Sequence, residues 1–201
     1  MKLQKTEHVP EYMSLETYLT AAKKDPSICA SPAERMLKAI GTPKKIDTAK
    51  TPRISRIFGN RTVRQYDEFS DFYGLEDVIA RIVSFFQHAS QGLEESRQIL
   101  YLLGPVGSAK SSLVERLKSL LEKEPIYVLA DAEGVCSPVN ESPLGVCGTD
   151  ILKGVGIKTQ CVIPSPWATK RLKEYKGDLS KFKVVKMYPN QLDQLAISKV
   201  E

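Results

Sequence analysis

The amino-acid sequence predicts an α/β fold in which a parallel sheet is flanked by helices and preceded by a small helical segment. Two short apolar segments, residues 99–103 and 126–130, have the composition of buried strands. A glycine-containing loop and an amphipathic helix lie between them. This order of strand, loop, helix and strand is typical of a βαβ unit, and such a unit places its two strands parallel.

Two short helices are expected near the start of the chain. The first, within residues 14–24, has an apolar face at helical spacing formed by Leu15, Tyr18, Leu19 and Ala22. Ser31 can cap the second helix, Pro32 suits its first turn, and Glu34 completes a capping box. Gly41 then ends this helix.

Residues 42–66 are predicted to form an extended basic linker, because they contain prolines and lack apolar periodicity. Residues 1–65 hold 13 Lys and Arg against 6 Asp and Glu, whereas residues 66–201 hold 16 against 18. A basic arm can bind nucleic acid or another anion. We favour a solvated linker and do not expect nucleic-acid binding, because no aromatic stacking pattern or nucleic-acid motif accompanies the charge.

The second part of the chain is expected to alternate helices and strands. A helix with an apolar stripe lies within residues 69–92, and a loop rich in Gly, Pro, Ser and Asn occupies residues 131–148. Ser165 caps a further helix that Gly177 ends. A third strand is expected within residues 181–189, and a last helix within residues 190–201.

The loop after the first strand has the composition of a phosphate-binding loop. A tight loop at a helix N-terminus offers backbone N–H groups and the positive end of the helix dipole to a triphosphate. Gly104 and Gly107 let the backbone curl, Lys110 can reach the β- and γ-phosphates, and Ser111 can place its hydroxyl on Mg²⁺. Ala109 departs from the usual G-x-x-x-x-G-K-[ST] pattern, in which glycine occupies that position. The predicted cofactors are ATP and Mg²⁺.

The loop and the segment before it resemble AAA+ ATPases, several families of which have alanine before the lysine. The resemblance implies a P-loop NTPase fold of AAA+ type, with Lys110 as the catalytic residue, Ser111 as the metal ligand and an adenine pocket lined by the aromatic segment before the first helix. The residues expected to bind the nucleotide are Phe72, Tyr73, Gly74, Gly104, Pro105, Val106, Gly107, Ser108, Ala109, Lys110, Ser111 and Ser112. The alternative for the aromatic residues is that they pack in the core at the start of a helix.

Several segments, among them "SPAERMLKAIG", "LLGPVGSAKSSLVERL", "SPWATKRL" and "KFKVVKMYPNQLDQLAISK", resemble the bacterial PrkA family along almost the whole chain. Members of that family are described as serine protein kinases with an N-terminal AAA-type ATPase domain. Their loop usually reads G-P-V-G-G-G-K-S, and Ser108 and Ala109 stand here in place of two glycines. Because family members are several times longer, we expect a helical segment and basic linker in residues 1–65 and a partial ATP-binding domain in residues 66–201.

The resemblance implies transfer of the ATP γ-phosphoryl group to a serine of a protein substrate. A remodelling or protease-associated ATPase that acts as a homo-oligomeric ring is the alternative. A second alternative is a non-catalytic nucleotide-binding module, because the sequence contains no clear acidic motif for hydrolysis. Asp131 ends a strand, but it follows the first strand after the loop helix and is expected to be a loop residue.

The remaining composition gives no sign of a membrane, a secretory signal or a metal centre. No apolar run approaches the ~20 residues that span a bilayer, and the start of the chain has no apolar signal region. We therefore expect a cytoplasmic protein. The four cysteines form no C-x-x-C pair and are expected to be reduced thiols.

Overall fold

The computed structural model describes residues 10–50, 52–156 and 163–189. Their α-helices are α1 (Leu15–Lys24), α2 (Pro32–Ile40), α3 (Pro52–Phe58), α4 (Glu76–Ser90), α5 (Lys110–Leu121), α6 (Thr149–Val155) and α7 (Pro166–Glu174). Their strands are β1 (Glu11–Ser14), β2 (Lys44–Asp47), β3 (Thr62–Gln65), β4 (Ile126–Ala130) and β5 (Lys183–Met187). Within this part of the chain, no helix is long and apolar enough to cross a membrane.

The chain divides into two compact units. One draws its described residues from the ranges 1–29 and 124–201, and the other from the range 30–123. The predicted boundary between residues 65 and 66 is not among these divisions. Residues 104–109 and α5 therefore belong to the second unit, whereas Asp131 and α7 belong to the first.

The first unit is built on a three-stranded antiparallel sheet. Strand β5 lies in the middle, with β1 on one side and β4 on the other, and Val128 of β4 is opposite Val185 of β5. One face of the sheet packs in a core with α1 and α7. That core includes Leu15, Tyr18, Leu129, Leu144, Ala168, Phe182 and Val184.

The second unit is a helical core beside a two-stranded hairpin. Helices α2, α4 and α5 bury apolar side chains against one another, among them Met36, Ile40, Ile79, Ile82, Val83, Leu113, Leu117 and Leu120. Strands β2 and β3 pair antiparallel, with Ile46 opposite Val63. The apolar stripe expected within residues 69–92 is confirmed at Ile79, Ile82 and Val83, which are buried, but not at Val78, which is exposed.

The local helix signals are confirmed by the structure. Ser31 and Glu34 form the complete capping box at the start of α2, and Gly41 is its C-cap. The Ser165 hydroxyl accepts a hydrogen bond from the N–H of Ala168 at the start of α7. The strands predicted within residues 126–130 and 181–189 are β4 and β5, and the segment 131–148 is irregular except for a short 3₁₀ turn.

The fold is mixed α/β as predicted, but every strand pair among the described residues is antiparallel. Strand β5 returns alongside β4 in the opposite direction, and β1 joins its other edge. A short apolar run specifies a buried strand but not the direction of its partner, which is why the periodicity did not predict this arrangement. The helix expected within residues 190–201 lies outside the described residues.

The linker predicted for residues 42–66 is wrong, because β2, α3 and β3 occupy this segment. The buried Thr48 hydroxyl stabilises the fold of this segment. It accepts a hydrogen bond from the Arg61 N–H at 2.8 Å and also contacts the carbonyls of Gly59 and Arg61. Pairing between distant residues thus orders a segment whose local composition indicated a loop.

Candidate functional site

The segment that leads into the loop from Gly104 to Ala109 does not pair with any strand among the described residues. Leu100 and Leu102 pack against the helical core of the second unit. Ile99, Tyr101 and Leu103 point the other way and are 90%, 79% and 86% exposed. The buried strand predicted at residues 99–103 is therefore wrong, because the alternating side chains bury only one face and no strand in the described part of the chain covers the other.

Two residues of the loop from Gly104 to Ala109 have a left-handed backbone conformation, which residues with a Cβ atom rarely adopt. Gly107 has φ +81° and Ala109 has φ +57°, both in the left-handed region. A Cβ atom on Gly104 would lie 2.9 Å from the Ser108 Oγ, so any other residue at position 104 would require that hydroxyl to move. Ala109 takes up the conformation that glycine would adopt at lower cost, since a Cβ disfavours the left-handed region by about 1–2 kcal/mol.

Lys110 is the first residue of α5, and its side chain folds back over the loop. The Nζ donates to the carbonyl of Gly104 at 2.7 Å, to that of Pro105 at 2.6 Å and to the Oγ of Ser108 at 3.0 Å. The ammonium group is thus held inside the curve of the backbone. Val106, at the tip of the loop, is fully exposed.

The N-terminus of α5 has no side-chain cap. Ala109 is its N-cap residue and offers no hydrogen-bonding side chain. The N–H of Leu113 bonds to the carbonyl of Ala109 at 2.9 Å, so the N–H groups of Lys110, Ser111 and Ser112 precede this first helical bond. Such groups, together with the helix dipole, are suited to an anion.

An open depression of about 720 Å³ lies beside this helix end. It is lined by Asp71, Phe72, Ala109, Ser111, Ser112, Glu115, Arg116 and Ser119. Phe72 and three of the predicted loop residues are therefore brought together. Tyr73 is 74% exposed and does not line the depression, and Gly74 has φ +80° at the turn that precedes α4.

Sequence reasoning did not identify Asp71 and Arg116 as part of this region. The Arg116 guanidinium pairs with the Asp71 carboxylate, donates to the Glu68 carbonyl at 2.8 Å and lies 5.7 Å from the centre of the Phe72 ring. Arg116 follows Ser112 by one helical turn, which puts both on one face of α5. The spacing of Ser112 and Arg116 was the sequence feature that could have indicated Arg116. It indicates a site residue only together with the ion pair to the distant Asp71.

Asp131 is engaged in its own turn. The carboxylate is 1% exposed, accepts from the N–H groups of Glu133 and Val135 at 3.0 and 2.9 Å, and pairs with Arg171 at 3.2 Å. These contacts account for its burial, because a buried carboxylate requires such partners. The structure places Asp131 as the loop residue that the sequence predicted.

The thiols among the described residues are unpaired with one another. Cys29, Cys136 and Cys147 are free, and Cys161 lies outside the described residues. Burial raises the pKa of the Cys147 thiol to about 11, so this group is protonated at neutral pH. No group of three or more His, Cys, Asp or Glu side chains in the described part of the chain is arranged to hold a metal ion.

The residues of the loop fit a magnesium nucleotide. The first turn of α5 offers N–H donors without a side-chain cap, and Lys110 supplies a cation next to them. The Ser111 side chain is exposed at the same helix end. This donor set is suited to a polyphosphate anion, and a serine hydroxyl is suited to Mg²⁺.

Comparisons with known proteins agree on one family. The family model of the PrkA AAA domain matches residues 13–201. The serine/threonine kinase YeaG of Escherichia coli (strain K12) is 51% identical over 198 residues, which is 95% of this chain and 31% of the relative. The ATP-dependent protease PrkA of Bacillus subtilis (strain 168) is 30% identical over 181 residues, which is 85% of this chain and 26% of the relative. The chain thus spans less than a third of the length of these curated relatives, and no solved structure matches it.

Proposed function

Because this chain belongs to the PrkA AAA domain family, we propose that it binds ATP at the loop from Gly104 to Ser112. The observation that carries the proposal is the uncapped start of α5. Its first N–H groups have no side-chain acceptor, and the Lys110 ammonium lies beside them. Helix-end N–H groups and a lysine are the donors that a phosphate chain requires.

Each residue has a separate part in holding the nucleotide. The backbone N–H groups at the start of α5 bind phosphate oxygens, and Lys110 neutralises the charge of the β- and γ-phosphates. Ser111 is the residue that would hold Mg²⁺, which when bound neutralises charge on the phosphates. Phe72 and Arg116, in the depression beside the loop, offer a ring and a cation to the base of the nucleotide.

We propose further that the parent protein is a serine/threonine protein kinase that transfers the γ-phosphoryl group of ATP to a protein serine. The support is the name of the Escherichia coli relative, a serine/threonine kinase with which this chain shares 51% identity. No H-R-D or D-F-G signature occurs in the sequence, so the group that accepts the proton of the substrate serine is not assigned to this chain. The binding site for the protein substrate is likewise not assigned to this chain.

A second candidate is an ATPase associated with proteolysis, and the name of the Bacillus subtilis relative favours it. In this alternative the AAA module works as a homo-oligomeric ring, as the family resemblance implies. Light scattering of the parent protein with and without magnesium ATP separates the candidates. Nucleotide-dependent oligomers and loss of intact test protein, without phosphoserine, would favour the protease.

A third candidate is a module that binds ATP without turning it over. Asp131 motivates it, because this carboxylate is committed to a turn and to Arg171 rather than to a catalytic role. Calorimetric binding of ATP by the parent protein, with no release of phosphate and no phosphoserine, would favour this reading over both enzymes.

The test of ATP binding compares the 201-residue chain with Lys110→Ala. We expect the substitution to weaken magnesium ATP binding by about 10- to 100-fold, because a hydrogen bond to a charged group contributes about 1.5–3 kcal/mol and each 1.4 kcal/mol is tenfold. Isothermal titration calorimetry measures the affinities, and γ-phosphoryl transfer is assayed in the parent protein with the same substitution.

Lys170→Ala is the matched control, because it removes one exposed positive charge from α7 and leaves the sequence of the loop unchanged. It should leave the affinity for ATP unchanged. The proposal fails if the unsubstituted chain binds no ATP at millimolar nucleotide, or if Lys110→Ala and Lys170→Ala bind it equally well.

A further inference from the structure

All three protons of the Lys110 ammonium have acceptors within the loop. Two of these acceptors are the backbone carbonyls of Gly104 and Pro105, at 2.7 and 2.6 Å. The third is the hydroxyl of Ser108, at 3.0 Å. Since a lysine ammonium has three donors, a phosphate oxygen can bind it only by replacing one of these partners or by sharing a proton with it.

The Ser108 hydroxyl is itself held in place. Its Oγ donates to the Pro105 carbonyl at 2.8 Å, so its lone pairs face the Lys110 ammonium. The absence of a side chain at Gly104 makes room for it, because a Cβ there would approach the Oγ to 2.9 Å. Gly104 and Pro105 thus hold the Ser108 hydroxyl in a position where it accepts from the Lys110 ammonium.

We propose that Ser108 is a positioning residue that holds the Lys110 ammonium against the loop carbonyls and thereby lowers the affinity of the site for ATP. The effect on affinity rests on the proposed function. Of the three acceptors, Ser108 makes the longest bond, and it is the one that a phosphate oxygen replaces. A charged phosphate oxygen is a stronger acceptor than a neutral hydroxyl, so the exchange is favourable but costs the energy of the Ser108 bond.

The first measurement is the reactivity of Lys110, which needs no nucleotide. The 201-residue chain is treated with an N-hydroxysuccinimide ester at limiting time, and peptide mass spectrometry gives the rate of acylation at Lys110. We expect Ser108→Ala to raise this rate about two- to tenfold, because a hydrogen bond contributes a net 0.5–1.5 kcal/mol. Ser108→Thr keeps the hydroxyl and should restore the slow rate.

The second measurement is the affinity for magnesium ATP in a double-mutant cycle. Ser108→Ala should tighten binding about two- to tenfold in the chain that has Lys110 and should change nothing in the Lys110→Ala background. A purely structural role of Ser108 would alter the affinity by the same factor in both backgrounds.

Ser96→Ala is the matched control. The Ser96 hydroxyl donates to the carbonyl of Leu93, three residues earlier, just as Ser108 donates to Pro105, but no lysine bonds to Ser96 in the described structure. Its replacement should affect neither the acylation of Lys110 nor the binding of ATP.

The outcomes separate this inference from the proposed function. An unchanged acylation rate in Ser108→Ala overturns the positioning role, whatever the affinity for ATP. Weaker or unchanged ATP binding in Ser108→Ala overturns the effect on affinity. If the unsubstituted chain binds no ATP while Lys110 acylation still depends on Ser108, the positioning role stands and the proposed function fails.

Discussion

The helix starts at α2 and α7 differ from the start of α5 in how their N–H groups are used. At α2, the Ser31 hydroxyl accepts from the Glu34 N–H at 3.2 Å, and the Glu34 carboxylate accepts from the Ser31 N–H at 2.6 Å. At α7, the Ser165 hydroxyl accepts from the Ala168 N–H at 3.1 Å. At α5, the N-cap residue is Ala109, which has no group that can accept.

The missing side-chain cap is not unique to α5, because α4 and α6 also begin without one, at Leu75 and Gly148; what distinguishes α5 is the Lys110 ammonium held against the loop that precedes it. Serine followed by proline caps α2 and α7, whereas Ser108, which precedes the N-cap residue of α5, donates its hydroxyl to the Pro105 carbonyl instead. A capped helix end has fewer donors left for a ligand, and an uncapped one keeps them at a cost in stability. Residues at α2 and α7 should therefore govern folding, and residues at α5 should govern nucleotide binding.

The largest expected effect is at Glu141, which secures the start of α7. Its carboxylate accepts from the Ser165 N–H at 2.9 Å and from the hydroxyls of Ser165 and Ser137 at 2.6 and 2.8 Å. Glu141→Ala removes all three bonds and leaves the buried Ser137 hydroxyl without this partner. We expect the free energy of unfolding to fall by about 2–4 kcal/mol, measured by urea denaturation.

Glu133→Ala is the control for Glu141→Ala, because Glu133 is an exposed carboxylate in the same irregular segment. It should change the free energy of unfolding by less than about 0.5 kcal/mol. Nucleotide affinity should be the same in both variants at a temperature where both are folded. A drop in affinity in folded Glu141→Ala would contradict the division between the two kinds of helix end.

A smaller effect is expected at the start of α2. Ser31→Ala removes the acceptor for the Glu34 N–H, and such a loss costs about 1 kcal/mol. Glu34→Ala removes the other half of the capping box. Because the two residues act reciprocally, the double variant should lose less stability than the sum of the two single losses, as urea denaturation can measure. Simple additivity would show that the box is not formed in solution.

These capping residues also show what the sequence predicts well. A capping box or a serine and proline pair acts within one helical turn, so α2 and α7 could be located from neighbouring residues alone. The position of the loop before α5 could be predicted for the same reason, since Gly104, Lys110 and Ser111 lie within eight residues. The prediction of these features needed no knowledge of distant parts of the chain.

The features that sequence reasoning missed depend on residues far apart in the chain. The hairpin of β2 and β3 depends on pairing across Thr48, which contacts Arg61, and local composition indicated a linker instead. The antiparallel direction of β5 is set by its two neighbours, β1 and β4. Arg116 enters the candidate site through Asp71, 45 residues earlier. Periodicity records which face is buried, but not which partner covers it.

The smallest expected effect is at Ala109 itself. Its φ of +57° costs an alanine about 1–2 kcal/mol, whereas glycine adopts it freely. Glycine also adds entropy to the unfolded chain, which offsets about 0.4–1 kcal/mol of that gain. We therefore expect Ala109→Gly to raise the free energy of unfolding by roughly 0.5 kcal/mol, measured by urea denaturation.

Lys176→Gly is the matched control, since Lys176 has φ +54° after the end of α7 and is exposed. Both variants relieve a left-handed residue and should stabilise the chain by similar amounts. Only Ala109→Gly should also tighten ATP binding, by about two- to fivefold, because it relaxes the loop around the open N–H groups of α5. Equal effects of the two variants on ATP affinity would mean that the left-handed conformation of Ala109 affects folding stability and not nucleotide binding. The start of α5 would then have the same role in folding as the starts of α2 and α7.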